Sequence, residues 1–168
     1  MPISEAMIPE LDHEAGLTRK VLERLPADKW DWTPHPKSMS IRQLASHIAT
    51  IPHWGAVTLA TESFDINPPG GPDFTPPEYN TPAEALAGFS RSADEFRAAL
   101  AEASDEAMKA PWSLLKGGQT VFTQPRVGVL RGLIIKHIVH HRAQLALYLR
   151  LLDLPVPAIY GPSADEQN

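Results

Sequence analysis

The stretch that decides the fold is Val127–Leu152, VGVLRGLIIKHIVHHRAQLALYLRLL. Its Leu130, Leu133, Ile134, Ile138, Leu145, Tyr148, Leu149 and Leu152 recur with the 3.6-residue period of a helix that buries one face. His137 and His141 fall within that stripe, one turn apart, where side chains stack with Cβ atoms about 5–6 Å from each other. Two imidazoles turned toward a core must find partners or lose their hydration. The pair fits two readings: ligands of one metal ion, or core histidines held by hydrogen bonds. With seven histidines in 168 residues, spacing alone does not choose between them.

Upstream, the same periodicity predicts three more helices. The first runs from about Ser4 to Leu25, with Met7, Leu11, Ala15, Thr18, Leu22 and Leu25 inward, and Pro26 ends it. A connector follows in which Trp30 and Trp32 cover one end of the core and Pro34 and Pro36 disfavour helix. Ser40 and Gln43 form a capping box that opens the second helix, whose buried stripe is Ile41, Leu44, Ile48 and Ile51. Pro52 predicts a kink, or an end followed by a second piece from His53 to about Thr61. Residues 62–81, with five prolines and Gly70-Gly71, read as an irregular excursion, either a rigid surface loop or a lid. Thr81-Pro82-Ala83-Glu84 is a second capping box, opening a helix to about Ser104 with Leu86, Phe89, Ala93, Phe96 and Leu100 inward. Between Pro111 and Pro125 the period changes. Trp112–Leu115 and Thr120–Thr123 flank Gly117-Gly118, the pattern of a short β-hairpin. The expected fold is therefore all-α, one four-helix-bundle domain over residues 1–168, with a β-hairpin inserted between helices three and four.

Composition narrows the function classes. The chain is 43% hydrophobic and 21% charged, as ordinary globular proteins are. A net charge of −5 without a basic run disfavours nucleic acid as a partner. No apolar run reaches the roughly 18 residues of a membrane span, and no leader pattern opens the chain, so a cytoplasmic location is expected. The absence of cysteine leaves a metal site only nitrogen and oxygen donors.

His47 lies between Leu44 and Ile51 on the inner face of the second helix. Bundle cores build metal sites from side chains on facing helices, so His47, His137 and His141 form a candidate ligand set. Three protein ligands leave a coordination position for water, as catalytic sites do. Around them, Glu14 flanks the stripe of the first helix. It reads as a solvated flank, or as a carboxylate that orients an imidazole or serves as general base. Gln144, three residues after His141, either orients a ligand or makes structural hydrogen bonds. His140 points about 100° away from the pair and reads as an outward or interface residue. Arg142 suits an ion pair, His13 and His35 the surface, and His53 the mouth of a pocket.

Ser40–Ala49 (SIRQLASHIA) and His137–Leu145 (HIVHHRAQL) resemble the DinB-like superfamily, which includes the YfiT-type metalloproteins. The Trp30/Trp32 connector and the closing Leu154–Pro162 (LPVPAIYGP) extend the likeness over nearly the whole chain. Ala143 stands where the family commonly has glycine, and the proline-rich loop is longer than usual. The resemblance implies a four-helix bundle, often a homodimer, holding a divalent ion such as zinc or nickel on His47, His137 and His141. It also implies a metal-dependent enzyme acting on a small molecule, of thiol S-transferase or hydrolase type, with a low-molecular-weight thiol as a candidate substrate. The alternative is a non-enzymatic, stress-related metal- or ligand-binding protein.

Overall fold

The structure, a computed structural model, describes residues 1–167. Helix α1 spans Ile3–Leu22, α2 Ile41–Ala60 and α3 Pro82–Glu102, and a short α4 covers Asp105–Lys109. The last helix begins as α5 (Arg126–Val129), passes through π-helical turns at Leu130–Ile135 and continues as α6 (Lys136–Leu151). In the bundle α1 packs on α3 and α6, and α2 packs on the same two helices. One apolar cluster runs through all four, from Met7 and Leu11 to Ile48, Phe96 and Leu149.

Local chemistry sets these helices where expected. Ser40 caps α2 reciprocally: its hydroxyl accepts from Gln43 N–H, and Gln43 Oε1 accepts from Ser40 N–H. The second box is only half formed. Thr81 accepts from Glu84 N–H, but the Glu84 carboxylate accepts from Asn80 N–H instead of Thr81 N–H. Pro52 neither ends α2 nor splits it, since the helix continues to Ala60. Gly55 lets the Phe96 ring lie so close that a Cβ there would sit 2.5 Å from it, which brings α2 and α3 together.

Two differences from expectation bear on function. Residues 62–81 are not wholly irregular. Ser63–Asp65 forms β1, which pairs in parallel with β2 (Pro111–Lys116), itself antiparallel to β3 (Gln119–Pro125). The hairpin is thus part of a three-stranded sheet. Its turn, Gly117-Gly118 at φ +63 and +75, is braced by Asp65, whose carboxylate accepts both glycine N–H groups. The rest of the excursion is tied to the bundle: Trp30 Nε1 donates to Tyr79 O, Tyr79 N–H donates to Ser46 Oγ, and Phe64 and Phe74 meet Trp54 edge-on, with 4.6 Å between centroids.

The second difference is the π-helical stretch. It carries one extra residue per turn, so it shifts the buried face by about one position. Ile135 is buried, and Leu133, expected inward, is 44% exposed. Arg126 fixes the start of this helix by donating to the carbonyls of Thr58 and Thr61 at the C-terminal end of α2.

Candidate metal centre

The capping box of α2 and the π-helical shift of the last helix together turn three imidazoles toward one point. His47 Nε2 lies 3.3 Å from His137 Nε2, and His141 Nε2 lies 2.8 Å from His137 Nε2. One ligand atom from each histidine falls within 4.8 Å of the others, so the cluster is capable of coordinating a divalent ion.

In the last helix the outer ring nitrogens face acceptors. Gln144 Oε1 accepts from His141 Nδ1 at 2.7 Å, while the Gln144 amide nitrogen reaches His140 at 3.3 Å. The Leu133 backbone acts on His137 as an acceptor that favours its outer N–H. A neutral imidazole has a single N–H, so spending it outward leaves the Nε2 lone pairs of His137 and His141 converging on each other. Such an arrangement is repulsive by itself and favourable around a cation.

Protonation agrees. Burial, followed by the neighbouring charges of His141 and His137, lowers His47 to about 4. Burial also lowers His137, assisted by His141, and lowers His141 against the opposing hydrogen bond from Gln144. At neutral pH these are three uncharged nitrogen donors, the form a metal requires. Geometry fits as well: zinc–nitrogen bonds of 2.0–2.1 Å place the nitrogens of a tetrahedral site about 3.3 Å apart, and those of an octahedral face about 3 Å apart. The two observed separations lie close to these values.

Glu14 requires a correction. It is neither a solvated flank nor a partner of the cluster. It is 9% exposed, and its carboxylate accepts from Arg142 at 2.7 Å and from the Tyr160 hydroxyl at 2.8 Å. Arg142, 1% exposed, also donates to the Glu14 carbonyl and to Tyr160. None of the Glu14 hydrogen bonds reaches a histidine of the cluster, and it is Gln144 that holds the His141 ring. His53 is displaced too: it pairs with Glu95 at 3.0 Å beside a separate polar pocket that includes Tyr79 and Arg91. His140 is exposed, as expected; it meets the centre through the Gln144 amide and through its own ring, edge-on to His141 with 4.7 Å between centroids. His35 accepts a turn N–H from Lys37, and His13 lies exposed against the Tyr160 ring.

Two cavities meet at His47. One, of about 210 Å³, is walled by Trp54 and Ile51 of α2, by Trp112, Leu114 and Phe122 of the hairpin, and by Leu133 and His137. The other, of about 380 Å³, runs past Gln43, Ser46, Thr75 and Glu78. Sequence reasoning assigned the hairpin residues no part in the site. Only their alternation, with Leu114 and Phe122 facing each other across the strands, hinted at a shared face.

The profile of the DinB superfamily matches residues 10–145. The chain belongs to the DinB superfamily. Among curated proteins, uncharacterized YrdA of Bacillus subtilis is 27% identical, with 95% of this chain and 93% of YrdA covered. Among solved structures, a DinB-like protein from Bacillus cereus superposes with a TM-score of 0.70 at 22% identity, covering 95% of this chain and 98% of its own. The DinB-like protein YjoA of B. subtilis gives 0.68 at 16%, covering 97% and 99%. A DinB family member from Exiguobacterium sibiricum gives 0.61 at 17%, covering 92% and 94%. At these identities the solved DinB structures carry the fold alone. No described helix is long and apolar enough to cross a membrane.

Proposed function

We propose that this DinB superfamily protein binds one divalent transition-metal ion, zinc or nickel, through His47, His137 and His141, and that it is a metal-dependent enzyme of thiol S-transferase or hydrolase type. The observation that carries the reading is convergence: one nitrogen from each of the three histidines lies within 4.8 Å of the others, while the outer nitrogen of His141 is turned to Gln144. His47, His137 and His141 would hold the ion, which would supply Lewis acidity that lowers the pKa of a bound water or thiol.

The chain's own residues do the rest. Gln144 and the Leu133 backbone hold two rings in orientation, the outer-shell role that tunes ligand basicity and position. Burial keeps all three imidazoles unprotonated near neutral pH. Ile51, Trp54 and the hairpin line one side of the centre with apolar groups, a low-dielectric wall that strengthens electrostatic interactions beside it. A small-molecule substrate, a low-molecular-weight thiol among them, a homodimeric assembly and a cytoplasmic location complete the proposal.

Activity is tested by assaying thiol conjugation and ester or amide hydrolysis with the metal-loaded protein, with and without chelator. Chelator-sensitive turnover that is lost in His47→Ala supports the enzyme. Stoichiometric metal with no turnover across the panel supports a binding protein instead.

A further inference from the structure

The cavity on the hairpin side of His47 differs in kind from an ordinary polar active-site cleft. Its walls are aromatic and aliphatic, coming from α2, the hairpin and the π-helical turns of the last helix. Two of its polar wall groups are committed elsewhere. The Thr58 hydroxyl donates to Trp54 O at 2.7 Å, and the Trp112 indole N–H donates to Thr61 Oγ1 at 3.1 Å. The imidazoles of His47 and His137 form its polar end. A polar group seated among these walls would lose its hydration and find no free donor on Thr58 or Trp112.

Size restricts the occupant further. About 210 Å³ is less than the roughly 300–1,000 Å³ of sites that hold drug-sized ligands. The room suits one ring or a short alkyl chain. Edge-on packing of Phe64 and Phe74 on Trp54 backs one wall and leaves the inner side of that indole for a further ring.

We infer that the substrate carries an apolar group of about one ring, seated between the hairpin and the last helix, with its reacting atom one or two bonds beyond, at His47 and His137. The hairpin is then the specificity element of the site. The reacting end rests on the proposed metal-dependent function, and the apolar seat does not.

Equilibrium binding of three probes separates these two parts: 2-phenylethanethiol, 2-phenylethanol and 2-mercaptoethanol, followed by tryptophan fluorescence on zinc-loaded and chelator-treated protein. The zinc-loaded protein should bind 2-phenylethanethiol at least about tenfold more tightly than 2-mercaptoethanol, the effect expected for burying a phenyl group. Chelator-treated protein should still bind 2-phenylethanol in preference to 2-mercaptoethanol. Phe122→Ser and Leu133→Ser should each cut the preference to about threefold or less, with zinc stoichiometry unchanged. Leu133 is partly exposed, so its variant tests the seat even if Phe122→Ser folds poorly. Equal binding of the two thiols, or a preference that survives both substitutions, would overturn the apolar seat. Loss of zinc binding together with a retained preference for 2-phenylethanol would instead count against the metal centre and leave the seat standing.

Discussion

Two polar clusters start from adjacent residues of the last helix, His141 and Arg142, and they are completed to different degrees. Arg142, Glu14, Thr18 and Tyr160 form a closed set: the guanidinium donates to the carboxylate, the hydroxyls and a carbonyl, and opposite charges cancel. The histidine cluster is also linked to its surroundings, but outward, and its inner nitrogens face one another. A chain that can finish one buried polar set from its own side chains leaves the other open one residue away. The open set is where an external cation fits, and the closed set is scaffold that ties α1, the last helix and the closing segment together.

Substitutions should therefore separate stability from metal binding. The largest stability effect is expected at the closed set. Glu14→Ala leaves a buried guanidinium without its counter-charge and should cost about 3–5 kcal/mol in urea unfolding. The double substitution Glu14→Leu with Arg142→Met should recover much of that loss, since a buried ion pair can be replaced by apolar groups of similar volume. Zinc stoichiometry of the folded double variant should match the wild type. A double variant that folds but loses zinc would show that the two clusters are not independent.

Gln144→Ala comes next. It removes the acceptor that holds His141 and should weaken metal affinity about 10- to 100-fold, measured by competition with a chromophoric chelator, while the fold persists. His140→Ala removes an edge-on ring neighbour of His141 and the far partner of that amide, but no hydrogen bond to a ligand, and should change affinity by less than Gln144→Ala does. Reversal of that order would make His140 more than an outer neighbour.

Proton binding gives a smaller but signed effect. In the metal-free folded protein His47 protonates near 4, against about 6.5 in an unfolded chain. Between those values the unfolded chain holds more protons, so the His47 contribution is fully present above pH 6.5 and is lost as pH falls through about 4. His137 and His141 are shifted in the same direction. Urea midpoints of chelator-treated protein should fall from pH 7.5 to pH 5, and His47→Ala should reduce the drop.

Much of this was legible in the sequence because its signals are local. Apolar periodicity located the four long helices, Ser40 and Gln43 announced α2, and His47, His137 and His141 were readable from their positions on inner faces. What escaped depends on long-range or geometric facts. Parallel pairing of β1 with β2 joins segments about fifty residues apart and has no local mark in Ser63–Asp65. The π-helical shift has no residue signature, so Leu133 was placed inward and Ile135 overlooked. Glu14 reads as a helix flank because its partners, Arg142 and Tyr160, lie more than 120 residues away in the chain. Nor could the spacing of Leu114 and Phe122 reveal that the hairpin leans over the histidines.

The most direct test of the open histidine cluster is the metal content of protein purified without a metal-affinity tag, dialysed, and measured by plasma mass spectrometry beside His47→Ala. One equivalent of zinc or nickel per chain in the wild type, and less than a tenth of that in folded His47→Ala, is the expected result. A folded wild-type protein that takes up no stoichiometric divalent metal when supplied, or a His47→Ala variant that retains it fully, would contradict the three-histidine centre.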